Sequence, residues 1–199
     1  MKLYNSTESG NCYKVRLLLA HLGLPYEIHE IDPIAKGPRP EAFRDKTDFG
    51  RVPLLILDDG RPIAESNAIL WYLADGTPYL PDDNYDRTRV HQWLFFEQNL
   101  HECNIAVVRR FVKMEPEAMP PTEVMDNRRA GGHRALAVMD QRLSGSRFVA
   151  GDDFGIADIS LFGYTHVAGE GGFDLETYRN VRRWIDDVRK QDGHVPMVG

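Results

Sequence analysis

The chain has 199 residues, 42% hydrophobic and 27% charged, with a net charge of -6. Those proportions suit a globular protein that buries its own core, and the acidic balance argues against a basic face for nucleic-acid phosphates. Cys12 and Cys103 are the two cysteines, too few for a disulfide framework, so reduced thiols are expected. The amino terminus turns polar at once, which predicts no signal peptide. No apolar run is long enough to span a bilayer. A cytoplasmic protein without membrane or nucleic-acid partners is expected.

Lys2 to Tyr4 is the first strand candidate. Asn11 to Gly23 follows as a helix, with Val15, Leu18, Leu19 and Leu22 at helical spacing, Gly23 as its stop and Pro25 just beyond. Tyr26 to Ile31 is the second strand. A β-α-β unit of this kind implies a right-handed crossover and parallel pairing. After a Pro/Gly/Lys/Arg-rich stretch from Asp32 to Pro40, Val52 to Leu57 reads as a buried strand. Asp59-Gly60 then makes a hairpin turn to a strand at Arg61 to Ala64. A helix from Ser66 to Asp75 closes this part, with Ile69, Leu70 and Leu73 on one face. The order βαβ-ββα is the thioredoxin-like arrangement.

Gly76 to Tyr85 is rich in Gly, Pro and Asp and reads as a connection. Beyond it the pattern is helical only. One long helix is predicted from Asp86 to Met114, ended by Pro116, Pro120 and Pro121. A second is capped by Thr122 and runs to Leu143, weakened at Gly131-Gly132 by up to about 1 kcal/mol per glycine. Two more begin at Ile156 and near Glu176. The fold class is therefore α/β plus all-α: a thioredoxin-like domain over residues 1–76 and an all-helical domain over 85–199.

Three segments carry candidate chemistry. Ser9-Gly10-Asn11-Cys12 lies between the first strand and the first helix. A helix start offers free N–H groups and partial positive charge, which stabilise a thiolate placed there. The Ser9 hydroxyl and the Asn11 amide can donate to the same sulfur. Lowering a thiol pKa by ~1.5 units needs ~2 kcal/mol, the worth of one or two charge-assisted hydrogen bonds. The simpler reading is that Ser9 and Asn11 cap the helix and that Cys12 is a small buried hydrophobe. No C-x-x-C is present, so dithiol chemistry is unsupported.

Gly50-Arg51-Val52-Pro53 enters a strand. A cis proline in such a turn leaves the Val52 backbone N–H and C=O to pair with an extended peptide; the simpler reading is a trans proline opening a strand. Glu65-Ser66 opens the third helix. A carboxylate for an ammonium, beside a helix end for a carboxylate, suits a zwitterion; the simpler reading is an acidic cap.

Taken together, in this order, the three segments resemble the glutathione site of the cytosolic glutathione transferases, and the resemblance covers essentially the whole chain. It implies that Ser9 stands where serine-type classes place their thiolate-stabilising hydroxyl. Asn11 resembles the asparagine used for the same purpose in some bacterial and fungal classes. Arg51 stands near the glycyl end of glutathione, Val52 and Pro53 at its backbone, Glu65 and Ser66 at its γ-glutamyl end. The implied function is activation of the glutathione thiolate for attack on an electrophile or peroxide. Glutathione is the co-substrate, no metal is required, and the assembly is a homodimer. Phe154 to Ile159 resembles the family's buried helix start, with Asp158 structural, a Phe154–Ile159 staple, and Gly155 where the family has Ser or Thr.

The resemblance places the second-substrate pocket on the first loop and two long helices, where His101, Asn104, Arg109, Tyr164 and His166 lie. Each reads more simply as a packed or surface residue, and Trp93, Phe95, Phe96 and Trp184 as core or interface. His101-Glu102 lacks the second histidine of a metal motif. Two rival readings remain: Cys12 as a monothiol forming mixed disulfides, and a non-catalytic glutathione-binding regulator with the same fold.

Overall fold

The computed structural model describes residues 1–32 and 40–198. Most of the Asp32–Pro40 stretch lies outside the described residues. The chain divides into two compact units: Met1–Asp75 together with the segment from Asp192 onward, and Gly76–Gln191. No helix among the described residues is long and apolar enough to cross a membrane.

The first unit runs β1 (Lys2–Asn5), α1 (Gly10–His21), β2 (Glu27–Glu30), α2 (Glu41–Arg44), β3 (Leu54–Ile56), β4 (Pro62–Ala64) and α3 (Ser66–Ala74). The short α2 has no periodic signal in the sequence and adds to the expected elements. The strand order is β2-β1-β3-β4. β1 pairs parallel with β2 and antiparallel with β3, and β3 pairs antiparallel with β4. The predicted βαβ-ββα order dictates this mixed sheet, because a parallel partner needs a crossover and an antiparallel one only a hairpin. Gly60, at φ 88°, makes that hairpin, its N–H donating to Leu57 O at 3.0 Å.

Register decides which side chains face which layer. Leu54 and Ile56, two residues apart, share a face with Tyr4 and pack with Phe43 of α2 and with Ile31. Leu3 and Leu55 are register partners pointing the other way, both fully buried. The helices α1 and α3 pack against each other. Gly23 ends α1 as predicted: its N–H donates to Ala20 O and that of Leu24 to Leu19 O, both at 3.0 Å, with Gly23 at φ 63°.

The last residues of the chain return to α1. The Tyr13 hydroxyl donates to Val195 O at 2.7 Å, Arg16 Nη2 to Met197 O at 2.9 Å, and His21 Nδ1 to Asp192 O at 2.7 Å.

The second unit is helical: α4 (Asn84–Phe96), α5 (Cys103–Arg109), α6 (Thr122–Leu143), α7 (Ile156–Thr165) and α8 (Arg179–Arg189). The predicted long helix is continuous from Asn84 to Met114, but Glu97–Glu102 and Arg110–Met114 are π-turns. It starts earlier than expected because Asp83 caps it, accepting from the N–H groups of Tyr85 (2.9 Å) and Asp86 (3.2 Å). Thr122 is the first residue of α6 and not its cap; Pro121 holds the cap position without a side-chain bond.

Gly131 and Gly132 are points of close approach. A Cβ on Gly131 would sit 2.5 Å from the Asn104 side chain, and one on Gly132 2.5 Å from the Phe173 ring. The start of α7 is built around Asp158, which is fully buried. Its carboxylate accepts from Val149 N–H (3.0 Å), Trp184 Nε1–H (2.7 Å) and Gly155 N–H (3.2 Å). Half of a reciprocal capping box is thus made. The other half is absent because a side chain at Gly155 would meet Tyr79 O at 2.8 Å. Tyr79 O instead accepts from Ile156 N–H at 3.0 Å.

Candidate active site

The candidate site is built where α1 and α3 begin, both in the first unit. Ser9 is the N-cap of α1: its Oγ accepts from Cys12 N–H at 3.3 Å. The capping reading of Ser9 is therefore realised. It does not consume the residue, because a hydroxyl that accepts one N–H still carries its own proton to donate.

Asn11, half-buried in the first turn, joins the two helices. Its Oδ1 accepts from Ser66 Oγ at 3.2 Å and from Lys14 Nζ at 2.7 Å. Ser66 is 4% exposed and Lys14 is fully buried. With the Ser66 hydroxyl committed to Asn11, the helix start itself is left to meet an anion from the Ser66 side.

Glu65, immediately before α3, is exposed and sits at φ 67°, ψ 117°. It is the one non-glycine residue with positive φ among the described residues. Such a conformation costs about 1–3 kcal/mol and persists where the surroundings impose it, commonly at functional sites. Here the turn from β4 into α3 imposes it.

The Val52–Pro53 peptide is cis, not the trans bond of the simpler reading. Pro53 is buried and Val52 half-buried. The strand ladder starts at Leu54, which pairs with Tyr4 on one side and Ala64 on the other. Arg51 is exposed and takes part in none of these hydrogen bonds. The structure thus links Asn11 and Ser66 directly and sets Ser9 on the same helix start as Asn11.

Lys14 is the component that sequence reasoning missed. A signal was there: it lies three residues after Asn11, hence on the same helix face, next to Val15 and close to the apolar run Leu17 to Leu19. A lysine in that position is seldom buried without a polar partner.

Cys12 behaves as a buried hydrophobe. It is fully buried, and its Sγ accepts from Ser6 N–H at 3.2 Å. Burial pushes its thiol up to about 11, against the opposing bonds from Ser9 and Ser6. That is the wrong direction for a nucleophile at neutral pH, so the structure does not support the monothiol reading.

In the second unit, the residues considered for a second substrate have internal partners. His101 Nε2 lies 2.8 Å from Thr165 Oγ1, whose proton goes to Leu161 O at 2.7 Å, so the histidine is the donor. Asn104 Nδ2 donates to Leu100 O at 2.6 Å, and Arg109 Nε to Glu170 at 2.6 Å. His166 stacks on Phe162 with centroids 4.5 Å apart. Tyr164 is 8% exposed. Trp184 is core, edge-on to Phe162, whereas Phe95 is 64% exposed.

Comparison with known proteins identifies the family to which this fold belongs. The family model for the glutathione S-transferase N-terminal domain matches residues 8–75, and that for the C-terminal domain residues 122–187. A probable glutathione S-transferase of Nicotiana tabacum is 32% identical over 94% of this chain and 82% of its own length. The disulfide-bond oxidoreductase YfcG of Escherichia coli (strain K12) is 27% identical over 91% of this chain and 86% of its own. The crystal structure of a glutathione S-transferase from Pseudomonas fluorescens [Pf-5] superposes with a TM-score of 0.93 at 44% identity. It covers 100% of this chain and 98% of that one. Matched in both units and over nearly its full length, the chain belongs to the glutathione transferase family.

Proposed function

We propose that this protein is a glutathione transferase that activates the glutathione thiolate for attack on an electrophilic or peroxide substrate. The observation that carries the reading is the hydrogen-bonded junction of the α1 and α3 starts through Asn11 and Ser66, with the Ser9 hydroxyl on the same helix start. Glutathione lies extended over the first unit. Its γ-glutamyl ammonium meets Glu65, and its γ-glutamyl carboxylate meets the Ser66 end of α3. Its cysteinyl backbone pairs with Val52 beside Pro53, as an added strand. Its glycyl carboxylate is neutralised by Arg51. The sulfur then sits at the start of α1, where Ser9 and Asn11 donate to it and the helix end favours its negative charge. The domains are residues 1–76 for glutathione and 85–199 for the helical part, and the protein works as a cytoplasmic homodimer.

The same bound thiolate can attack a disulfide, and the similarity to a disulfide-bond oxidoreductase favours testing that reaction too. In either reaction the sulfur is that of glutathione, since Cys12 is buried with a raised pKa.

The test is an ultraviolet titration of bound glutathione in wild type and Ser9→Ala. The wild type is expected to lower the thiol pKa by ~1.5 units and the variant to restore most of it. An unshifted pKa with glutathione bound would place the protein among non-catalytic glutathione-binding proteins instead.

A further inference from the structure

We propose that Lys14 is a positioning residue that locks the Asn11 carboxamide with its oxygen inward and so turns the NH2 edge toward the glutathione sulfur. This deepens the function proposed above and rests on it.

Three observations carry the assignment. Lys14 is fully buried, yet its Nζ reaches Asn11 Oδ1 at 2.7 Å. A second donor, Ser66 Oγ, reaches the same oxygen at 3.2 Å from the neighbouring helix, and its residue is 4% exposed. Asn11 itself is only half-buried. A lysine side chain has donors and no acceptor, so the amide edge facing it must be the oxygen. Turning the amide over would set its NH2 against the amine and lose that bond, whereas the Ser66 hydroxyl can rotate and accept from the NH2 instead. The amide is planar, so fixing the oxygen against two buried donors fixes the NH2 on its other edge. Without Lys14, the Ser66 hydroxyl serves either amide edge and does not oppose the flipped state, in which the carbonyl oxygen would face an anionic sulfur.

A buried lysine is a poor choice for filling space. Its amine must leave water, and the same volume is available from methionine without that cost. The whole side chain is buried, and the amine donates to Asn11.

The experiment measures the thiol pKa of bound glutathione, and the acid limb of the kcat/KM pH profile, in five proteins. These are wild type, Lys14→Met, Lys14→Arg, Asn11→Ala and the double variant Asn11→Ala/Lys14→Met. The expected result is a rise of about one unit in Lys14→Met, a tenfold loss of thiolate below that pKa. Asn11→Ala should show a similar rise, the double variant no further rise, and Lys14→Arg a pKa close to wild type. Non-additivity is the signature of two residues acting through one group.

A folded Lys14→Met with the wild-type thiol pKa overturns the assignment, as do additive shifts in the double variant. If Lys14→Met does not fold, Asn11→Asp decides the matter. It keeps an oxygen toward Lys14 and Ser66 but replaces the NH2 by a second oxygen, so the bound thiol pKa should rise above the wild-type value. An unchanged pKa there refutes the role of the NH2 edge. A wild type that binds glutathione without shifting its thiol fails at the proposed function itself. A shifted wild type with an indifferent Lys14→Met fails only here.

Discussion

Replacing Asp158 by alanine removes the common acceptor of three N–H groups. Two of the donors, Val149 N–H and the Trp184 indole, belong to fully buried residues. Each buried donor left without a partner costs about 1–3 kcal/mol, so the pair alone costs about 4 kcal/mol. That is a large share of the roughly 5–15 kcal/mol that holds a typical protein folded. Asparagine is the graded control. Its carbonyl oxygen can keep the Val149 and Trp184 bonds, both made to Oδ1, while its NH2 opposes the Gly155 N–H that Oδ2 now accepts. The cost falls to one bond, about 1–2 kcal/mol.

The chain has three tryptophans, Trp71, Trp93 and Trp184, so with Trp71 and Trp93 replaced by phenylalanine in every protein compared, Trp184 fluorescence in a urea titration reads the second unit. With a slope near ~2 kcal/mol/M, the midpoint should fall by about 2 M for alanine and by under ~1 M for asparagine. An alanine variant within ~0.5 M of wild type would refute the reasoning.

The same pair of proteins tests a pH dependence. Burial pushes the Asp158 carboxyl from 3.8 up to about 6, outweighing the hydrogen bonds that lower it. The folded state therefore holds the proton more tightly than the unfolded one. The stability linked to that proton is present below 3.8 and is lost as pH rises to about 6. The loss is about 3 kcal/mol at full extent. Asparagine has no such proton, so the margin of wild type over Asp158→Asn should shrink through that window and be flat above it.

Alkylation should discriminate the two cysteines: with its thiol near 11, Cys12 should label far more slowly than the partly exposed Cys103. Mass spectrometry reads the order, and Cys12→Ser should retain glutathione-dependent turnover; labelling of Cys12 first would contradict its assigned burial. Gly131→Ala gains up to ~1 kcal/mol of helix propensity but drives a methyl to 2.5 Å from Asn104, at a typical overpacking cost of about 1–3 kcal/mol. The net is a lowered melting temperature, and a raised one would show that α5 and α6 separate freely. Glu65→Gly relieves the positive φ of 67° and should leave melting unchanged or higher by up to ~1 kcal/mol. Glutathione affinity should fall at least about tenfold, as expected when one partner of a charge pair covered by the ligand is removed; a marked loss of stability would mean the turn is not strained.

Much of this protein is legible in its amino-acid sequence, and the reasons are local. The β-α-β and β-β-α patterns prescribe the mixed sheet because crossovers and hairpins allow only certain pairings. Gly23, Gly60 and the Val52–Pro53 turn announce themselves through backbone chemistry. Ser9, Asn11, Glu65 and Ser66 stand out as helix-start residues of the right types. What neighbours do with them is not visible in the sequence. Ser66 points its hydroxyl at Asn11 because two helices distant in sequence pack together, at the same oxygen that Lys14 reaches from within α1. Gly131-Gly132 reads as a weakness along one helix, and in the fold these glycines are contact points for Asn104 and Phe173. Gly155 reads as a missing cap, and in the fold its side-chain space is taken by Tyr79 O. The return of Val195 and Met197 to Tyr13 and Arg16 spans nearly the whole chain. Local pattern records what each segment prefers; long-range packing alone decides which polar atoms meet and which side chains have no room.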